Sequence, residues 1–521
     1  MDLDIVGKIG QRFAVGFSGT EITPELRRLV AEYKVGNVIL FKENLQSEVQ
    51  AAALCAGLRS LITEETGLAP FISIDQEGGV VTRLPPFMVN VPGNMALAAS
   101  GDIGAVYEAA RLTAGELRRI GVNLNLAPVL DINSNSANPV IGVRSFGPDP
   151  ETVNRFAEAA IRSYRDQGFL CCGKHFPGHG DTDTDSHLTL PRVNKTIEEL
   201  ERCEFSPFRE AVNAGIGAIM TSHILFPRLE SDDIPATMSR SIITDLLKKQ
   251  WGFSGLVLSD AMEMNAIKEF YGVSEGCIKA LYAGVDIVFV CHNAALMESS
   301  LKAIRAAWED GAFDKNEFDQ SVEKIIAFKE KYARRENSEM KENSSVKIEE
   351  AAKDKAELLM RRTLAPVDKH RKIPPVGKNP LFVGCLPYRS TIASNKADVT
   401  LSFAHWFSER FGGVYEENAV NPQSEEIQRI AAKVPGKSAV VFGSYNAHLN
   451  RGQIDLSRAL TEAASCSGIP VIAAALRNPY DLPEISDYAY RIALWEYTEN
   501  SFEALAGIFR GEYEPSGTLR L

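Results

Sequence analysis

The sequence has no long apolar run. None reaches the roughly 18 residues that a spanning helix needs, so nothing in it codes for an integral helical membrane protein. It also has no basic block, and its net charge is −12. A surface of that sign repels nucleic acid and anionic bilayers, so neither is expected as a main partner. Cysteine is sparse, with eight in 521 residues. No Cys-x-x-Cys occurs, and most cysteines lie in apolar segments, which argues against a disulfide framework and for reduced, buried thiols. The first residues carry neither a basic n-region nor an apolar h-region, so no secretory signal is read and a cytoplasmic location is expected. No internal repeat or low-complexity tract stands out.

What is present is the composition of a soluble globular protein, 45% hydrophobic and 24% charged. A chain of this length is too long for one ordinary core, so two or three domains are expected. Up to about residue 335, short apolar runs alternate with helix-length amphipathic segments. The runs are 12–17, 36–41, 69–75, 122–131, 168–173, 216–222, 255–260 and 285–291. Helices are expected at 24–33, 46–63, 103–119, 151–167, 197–213 and 239–250. Repeated strand-then-helix implies a parallel sheet, and eight repeats imply a TIM-like (β/α)8 barrel over 1–335.

A solvated stretch and a helix, 336–375, read as a linker. From 376 to 521 a second alternation follows, with strands near 381–385, 414–417, 439–442, 470–476 and 491–496. It predicts a smaller, doubly wound αβα sandwich. No phosphate-binding Gly-x-Gly-x-x-Gly joins a strand to a helix there, so no nucleotide cofactor is expected.

The densest chemistry lies in Gly173-Lys-His-Phe-Pro-Gly-His-Gly-Asp-Thr-Asp-Thr-Asp-Ser-His187, which holds three of the eight histidines. Pro177, Gly178 and Gly180 oppose regular structure, so a buried strand ending at Lys174 and His175 and then a mobile polar loop are expected. Two metal readings fail on spacing. Asp181, Asp183 and Asp185 open like an EF-hand, but Ser186 replaces the turn glycine and Arg192 the bidentate glutamate. His175 and His179 lie four apart, a metal spacing only on a helix, and Pro177 removes the helix. No metal is expected.

Polar residues recur at the ends of the other barrel strands: Asp75, Asp131, His223, Asp260 and His292. In a barrel these ends meet on one face, where active sites are built. Three further motifs supply chemistry there: Asp75-Gln-Glu-Gly-Gly-Val-Val-Thr-Arg83, Arg144-Ser-Phe-Gly147 and Ser259-Asp-Ala-Met-Glu-Met264. Fixed carboxylates and arginines are what sugar hydroxyls require, and Asp75, Arg83, Arg144 and Lys174 provide them. Asp260, rigidly held at a strand end, suits the nucleophile of a retaining glycosidase.

The Lys-His-Phe-Pro-Gly-His-Gly…Asp-Ser-His stretch resembles the signature of the β-N-acetylglucosaminidases of glycoside hydrolase family 3, and the resemblance covers the whole barrel. It implies Asp260 as nucleophile, His187 as general acid/base and Asp185 as the partner that orients its imidazole. It implies Asp75, Arg83, Arg144, Lys174 and His175 as the sugar-binding set, with His223 and Met264 as pocket walls. An imidazole titrating near about pH 6.5 can donate and accept protons in an exposed loop without the burial a carboxylic acid would need. The reaction implied is exo-acting, retaining hydrolysis of terminal N-acetylglucosamine from chitin oligosaccharides or, in peptidoglycan recycling, cell-wall muropeptide sugars. Relatives with this dyad that use phosphate as acceptor leave a phosphorylase as the alternative. The expected partner is a small carbohydrate, and a homodimer is left open as the assembly.

Overall fold

A computed structural model describes residues 3–182, 190–230, 232–334, 345–388 and 400–520. Eight parallel strands close into a barrel in sequence order. They are β1 (Phe13–Val15), β2 (Asn37–Leu40), β3 (Phe71–Ile74), β4 (Leu124–Asn125), β5 (Leu170–Phe176), β6 (Ala218–Thr221), β7 (Leu256–Ala261) and β8 (Ile287–Val290). Alternation along the strands divides two cores. Ala14, Ile39, Phe71, Leu124, Leu170, Cys172, Met220, Leu258 and Phe289 fill the barrel. Their neighbours Phe13, Val15, Val38, Ile72, Cys171, Ile219, Val257 and Val288 belong to the core shared with the surrounding helices. Both strand faces are apolar, which is why the runs read as continuous in the sequence.

Three elements differ from expectation. The run 122–131 pairs as a regular strand only at Leu124–Asn125. Pro128 has no N–H to give to a ladder. The chain stays beside β5 through irregular bonds, Cys172 N to Ala127 O at 3.0 Å and Leu130 N to Lys174 O at 2.7 Å. The expected helix 197–213 is two, Ile197–Arg202 and Phe205–Asn213. A proline at 207 would clash with the carbonyl four residues back, at Cys203, where the chain turns. The segment expected as an α-helix at 239–250 winds as a π-helix, Ser241–Gln250.

The second sheet contains β9 (Ala365–Pro366), β10 (Leu381–Gly384), β11 (Val414–Glu417), β12 (Val440–Ser444), β13 (Val471–Ala475) and β14 (Tyr490–Ala493), in the order β11-β10-β12-β13-β14-β9. It is parallel except for β9, which lies in the stretch read as linker and pairs antiparallel with β14. One face packs under Phe403, Phe407 and Phe502. The other shares a continuous core with Met95, Ala96, Ala99 and Val143 of the barrel, so the two units are joined by apolar packing. Among the described residues no helix is long and apolar enough to cross a membrane. All eight cysteines are free; Cys203 is half-buried, Cys466 is exposed and the rest are buried.

The helix Lys315–Tyr332 closes the barrel bottom with Ile325 and Phe328. It also carries Lys329, 1% exposed, whose Nζ donates to Gln11 Oε1 at 2.5 Å and Gly36 O at 2.8 Å. Burial pushes its pKa down to about 7. Between that value and the ordinary lysine value the unfolded chain binds more protons than the folded one, so stability rises with pH through this window. The buried cysteines, whose pKa values burial raises, act in the opposite sense as pH climbs through the thiol range, so denaturant titrations at pH 7 and pH 8 should show that rise in the natural protein. Lys329→Met should lose part of it, whatever its absolute stability; an unchanged pH difference would contradict the assignment.

Candidate active site

At the carboxyl ends of the barrel strands lies a cavity of about 210 Å³. Its lining includes Asp75, Glu77, Arg83, Arg144, Lys174, His175, Asp260 and Met264, so motifs separated by nearly two hundred residues converge there. Phe41, His179, Glu263 and His292 complete much of the wall.

Each side chain is fixed by its own local structure. After β3, Gln76 folds the chain back on itself. Its Oε1 accepts from Arg83 N at 2.8 Å and Leu84 N at 3.1 Å, and its Nε2 donates to Thr82 Oγ1 at 2.7 Å. This brings Arg83 beside Asp75, Nη2 to Oδ2 at 3.9 Å. After β4, Arg144 is braced through its carbonyl, which accepts from Asn94 Nδ2 at 2.7 Å, and through Ser145, whose hydroxyl donates to Asp131 O at 2.6 Å. Gly142, with φ +47°, accompanies that turn; its N donates to Asn133 Oδ1 at 2.9 Å. Asn133 in turn donates to the Tyr480 hydroxyl at 2.6 Å, so the second domain buttresses this loop.

The strand expected to end at Lys174 and His175 continues through Phe176, with a shift of register against β6. The first part of the loop after it is packed rather than mobile. Asp131 organises it: its carboxylate accepts from His175 N at 3.1 Å and from His179 N at 2.7 Å. A Cβ on Gly180 would fall 1.6 Å from Ile132 O, so only glycine fits there. Asp131 Oδ2 also lies 2.6 Å from His175 Nδ1. With the Nδ1 proton toward Asp131, Nε2 is left as an acceptor, 3.5 Å from Arg144 Nη2. The His179 ring is buried, and its Nδ1 lies 2.9 Å from Thr182 Oγ1. Burial and the neighbouring His175 lower its pKa to about 4.

The centre of the site is a buried ion network. Lys174 Nζ lies 2.7 Å from Asp75 Oδ1 and 2.7 Å from Glu77 Oε1. Arg144 grips Glu77 with two bonds, Nε to Oε2 at 2.9 Å and Nη2 to Oε1 at 2.8 Å. Burial alone would raise the Glu77 pKa, but Arg144 and Lys174 hold it well below the carboxylate range. Burial likewise opposes the charge on Lys174, and Asp75 and Glu77 overcome it. Glu77 was not singled out in the sequence, although it lies within the Asp75–Arg83 motif. The available signal was a charged residue abutting two glycines straight after a buried strand.

The strand expected to end at Asp260 runs one residue further, to Ala261, and Asp260 Oδ1 accepts from Ala261 N at 2.7 Å. Glu263 ties this loop to the end of β8 by accepting from the backbone N of Cys291, His292 and Asn293 at 2.5, 2.7 and 2.8 Å. His223 is not among the described residues lining the cavity. Its ring nitrogens lie 2.9 Å from Thr237 Oγ1 and 3.1 Å from Ala261 O, so it contacts the end of β7. His187 and Asp185 lie outside the described residues.

Residues 5–328 match the family described as "Glycosyl hydrolase family 3 N terminal domain". The chain belongs to glycosyl hydrolase family 3. It is thereby an enzyme of the glycoside hydrolase class. Over 335 residues, 60% of its length, it is 36% identical to a protein named beta-hexosaminidase A from Pseudoalteromonas piscicida, and that match spans 56% of the relative. Over 298 residues it is 36% identical to a beta-hexosaminidase from Thiobacillus denitrificans, covering 56% of this chain and 81% of that one. The structure of a family 3 beta-N-acetylglucosaminidase from a Paenibacillus species superposes with a TM-score of 0.90 at 36% identity, covering 99% of this chain and 98% of that one. Likeness to that structure thus extends over both the barrel and the second domain of this family 3 enzyme.

Removing Glu77's charge takes from Lys174 and Arg144 the one carboxylate that both contact. Breaking such a buried pair typically costs about 3–5 kcal/mol, so Glu77→Gln should lower the denaturation free energy by that order. Its folded pKa lies below the unfolded one, so its contribution is full above about pH 4.3 and is lost as pH falls further. Acid titration should therefore destabilise the natural protein more steeply than Glu77→Gln. Unchanged stability in the variant would show that the network does not hold the site.

Proposed function

We propose that the chain is an exo-acting, retaining β-N-acetylglucosaminidase. Asp260 carries the reading: a carboxylate at the end of β7, on the wall of a cavity it shares with the Lys174–Asp75–Arg144 cluster. The cavity is below the roughly 300–1,000 Å³ of common ligand pockets, which favours one sugar ring over a chain running through. The names of the relatives, beta-hexosaminidase and beta-N-acetylglucosaminidase, support N-acetylglucosamine as that ring.

In the reaction, the Asp260 carboxylate attacks the anomeric carbon as the glycosidic bond breaks, and His187 gives its proton to the departing oxygen. His187 then takes a proton from water, which attacks the same carbon and releases Asp260. Asp185 orients the imidazole; these two roles rest on the resemblance of the loop. Asp75, Arg83, Arg144, Lys174 and His175 hold the sugar hydroxyls and acetamido group, and Met264 packs against the ring. His223 acts on Asp260 through the Ala261 carbonyl. Chitin oligosaccharides or muropeptide sugars in the cytoplasm are the proposed substrates.

Asp260→Ala should abolish turnover with the fold intact, and a mechanism-based fluorosugar that keeps the 2-acetamido group should label Asp260 in the natural protein. His187→Ala should slow cleavage of natural disaccharides by roughly 10²–10⁴-fold, the range a positioned proton donor contributes. On an activated aryl glycoside it should instead give a phenol burst and a slow steady state, which azide accelerates with formation of a β-glycosyl azide. Equal losses on both substrates without azide rescue would place the acid/base elsewhere. Product analysis in phosphate buffer should yield free sugar; sugar 1-phosphate would make the enzyme a phosphorylase.

A further inference from the structure

The second sheet reverses its winding once. From β10 the chain goes out to β11 at the edge, then crosses back to β12 on the other side of β10. Connections therefore leave β10 and β12 in opposite directions, and in open parallel sheets such a switch point opens a crevice at the carboxyl ends where ligands bind. A cavity of about 380 Å³ lies there. Residues following four strands line it: Pro387 and Tyr388 after β10, Tyr445 after β12, Arg477 after β13, and Glu496 and Tyr497 after β14.

The opposite wall belongs to the barrel. Val80, Thr82 and Leu84 face this cavity, whereas Val81 and Arg83 line the active site. One segment, which turns at Gly79 and Val80, thus separates two pockets and presents side chains to each.

The lining has a specific chemistry. Arg477 is 5% exposed and donates to the Tyr445 hydroxyl at 3.1 Å, with its guanidinium 5.9 Å from that ring's centroid. Tyr445 donates to Tyr388 O at 3.1 Å, Tyr388 accepts from Asn450 at 2.9 Å, and Tyr497 accepts from Phe403 N at 2.7 Å. With the hydroxyls occupied inside the protein, the rings contribute apolar surface. Glu496 accepts from Thr498 Oγ1 at 2.9 Å and from the barrel's Gly93 N at 3.2 Å, and burial holds its pKa up at about 7. Lys42, Asn90, Thr400, Glu499 and Asn500 add further polar groups to the wall.

Aromatic surface beside planar hydrogen-bonding groups suits a ligand that has apolar C–H faces and a rim of hydroxyls. A bare anion fits less well, because Glu496 and Glu499 share the wall with Arg477 and Lys42 and no glycine-rich phosphate loop follows any of these strands. We propose that this crevice is a second carbohydrate-binding site, distinct from the catalytic pocket and built between the two domains. The choice of an N-acetylglucosamine-type saccharide as its ligand rests on the proposed function.

The test is calorimetric titration of the full chain carrying Asp260→Ala with tri-N-acetylchitotriose. Two sites are expected. Asn500→Trp, an exposed change that fills the crevice without touching the core, should weaken one of them by about tenfold or more, a loss of one affinity decade. Arg477→Met should weaken the same site. One site only, unaffected by Asn500→Trp, overturns the proposal. One site only, lost on Asn500→Trp, keeps the crevice and instead overturns the assignment of N-acetylglucosamine to the catalytic pocket. Titration with ATP or inorganic phosphate should give no binding; an Asn500→Trp-sensitive signal from either would overturn the carbohydrate assignment.

Discussion

Lys174 reaches from β5 to two carboxylates on the loop after β3, and one of those, Glu77, is gripped from the far side by Arg144 on the loop after β4. Three strand ends are thereby locked into one geometry by charges of which Lys174, Glu77 and Arg144 are buried and Asp75 is partly exposed to the cavity. Isolated, any of these ions would be strongly penalised by burial. Together they satisfy one another, and they fix the polar wall on which a sugar can be held. Asp131 plays the corresponding role one layer deeper, gathering His175 and His179 through backbone and ring contacts.

The second domain takes part in this arrangement. Tyr480 buttresses the Arg144 loop through Asn133, and Glu496 inserts its carboxylate against Gly93, at the base of the loop that carries Asp75 and Glu77. A Cβ on Gly79 would fall 2.8 Å from the same Glu496 oxygen, so the loop's glycines are matched to that contact. The two domains also share a hydrophobic core. Geometry at the catalytic pocket is consequently set from both sides of the domain boundary.

Much of this was legible beforehand. All eight barrel strands were visible because parallel strands buried on both faces leave continuous apolar runs, and Pro24–Tyr33 and Ile103–Arg119 match the expected helices at both ends. The convergence of Asp75, Lys174 and Asp260 followed once the barrel was inferred, since closure brings strand ends together. What escaped were features that depend on a partner far along the chain. The two-residue β9 is specified only by β14; the break near Cys203, by contrast, has a local signal in Pro207 that went unread.

The sequence by itself determined the alternating architecture, the chemistry of the strand ends and the resemblance to family 3, because periodicity, turn residues and a dense motif are local properties. Only the tertiary structure decided which charges meet. Glu77 became the centre of the network, His223 came to lie against Thr237 and the Ala261 carbonyl, and residues 80–84 became a wall between two pockets. Those outcomes depend on distances across the barrel and across the domain interface, where desolvation and pairing act between residues up to several hundred positions apart.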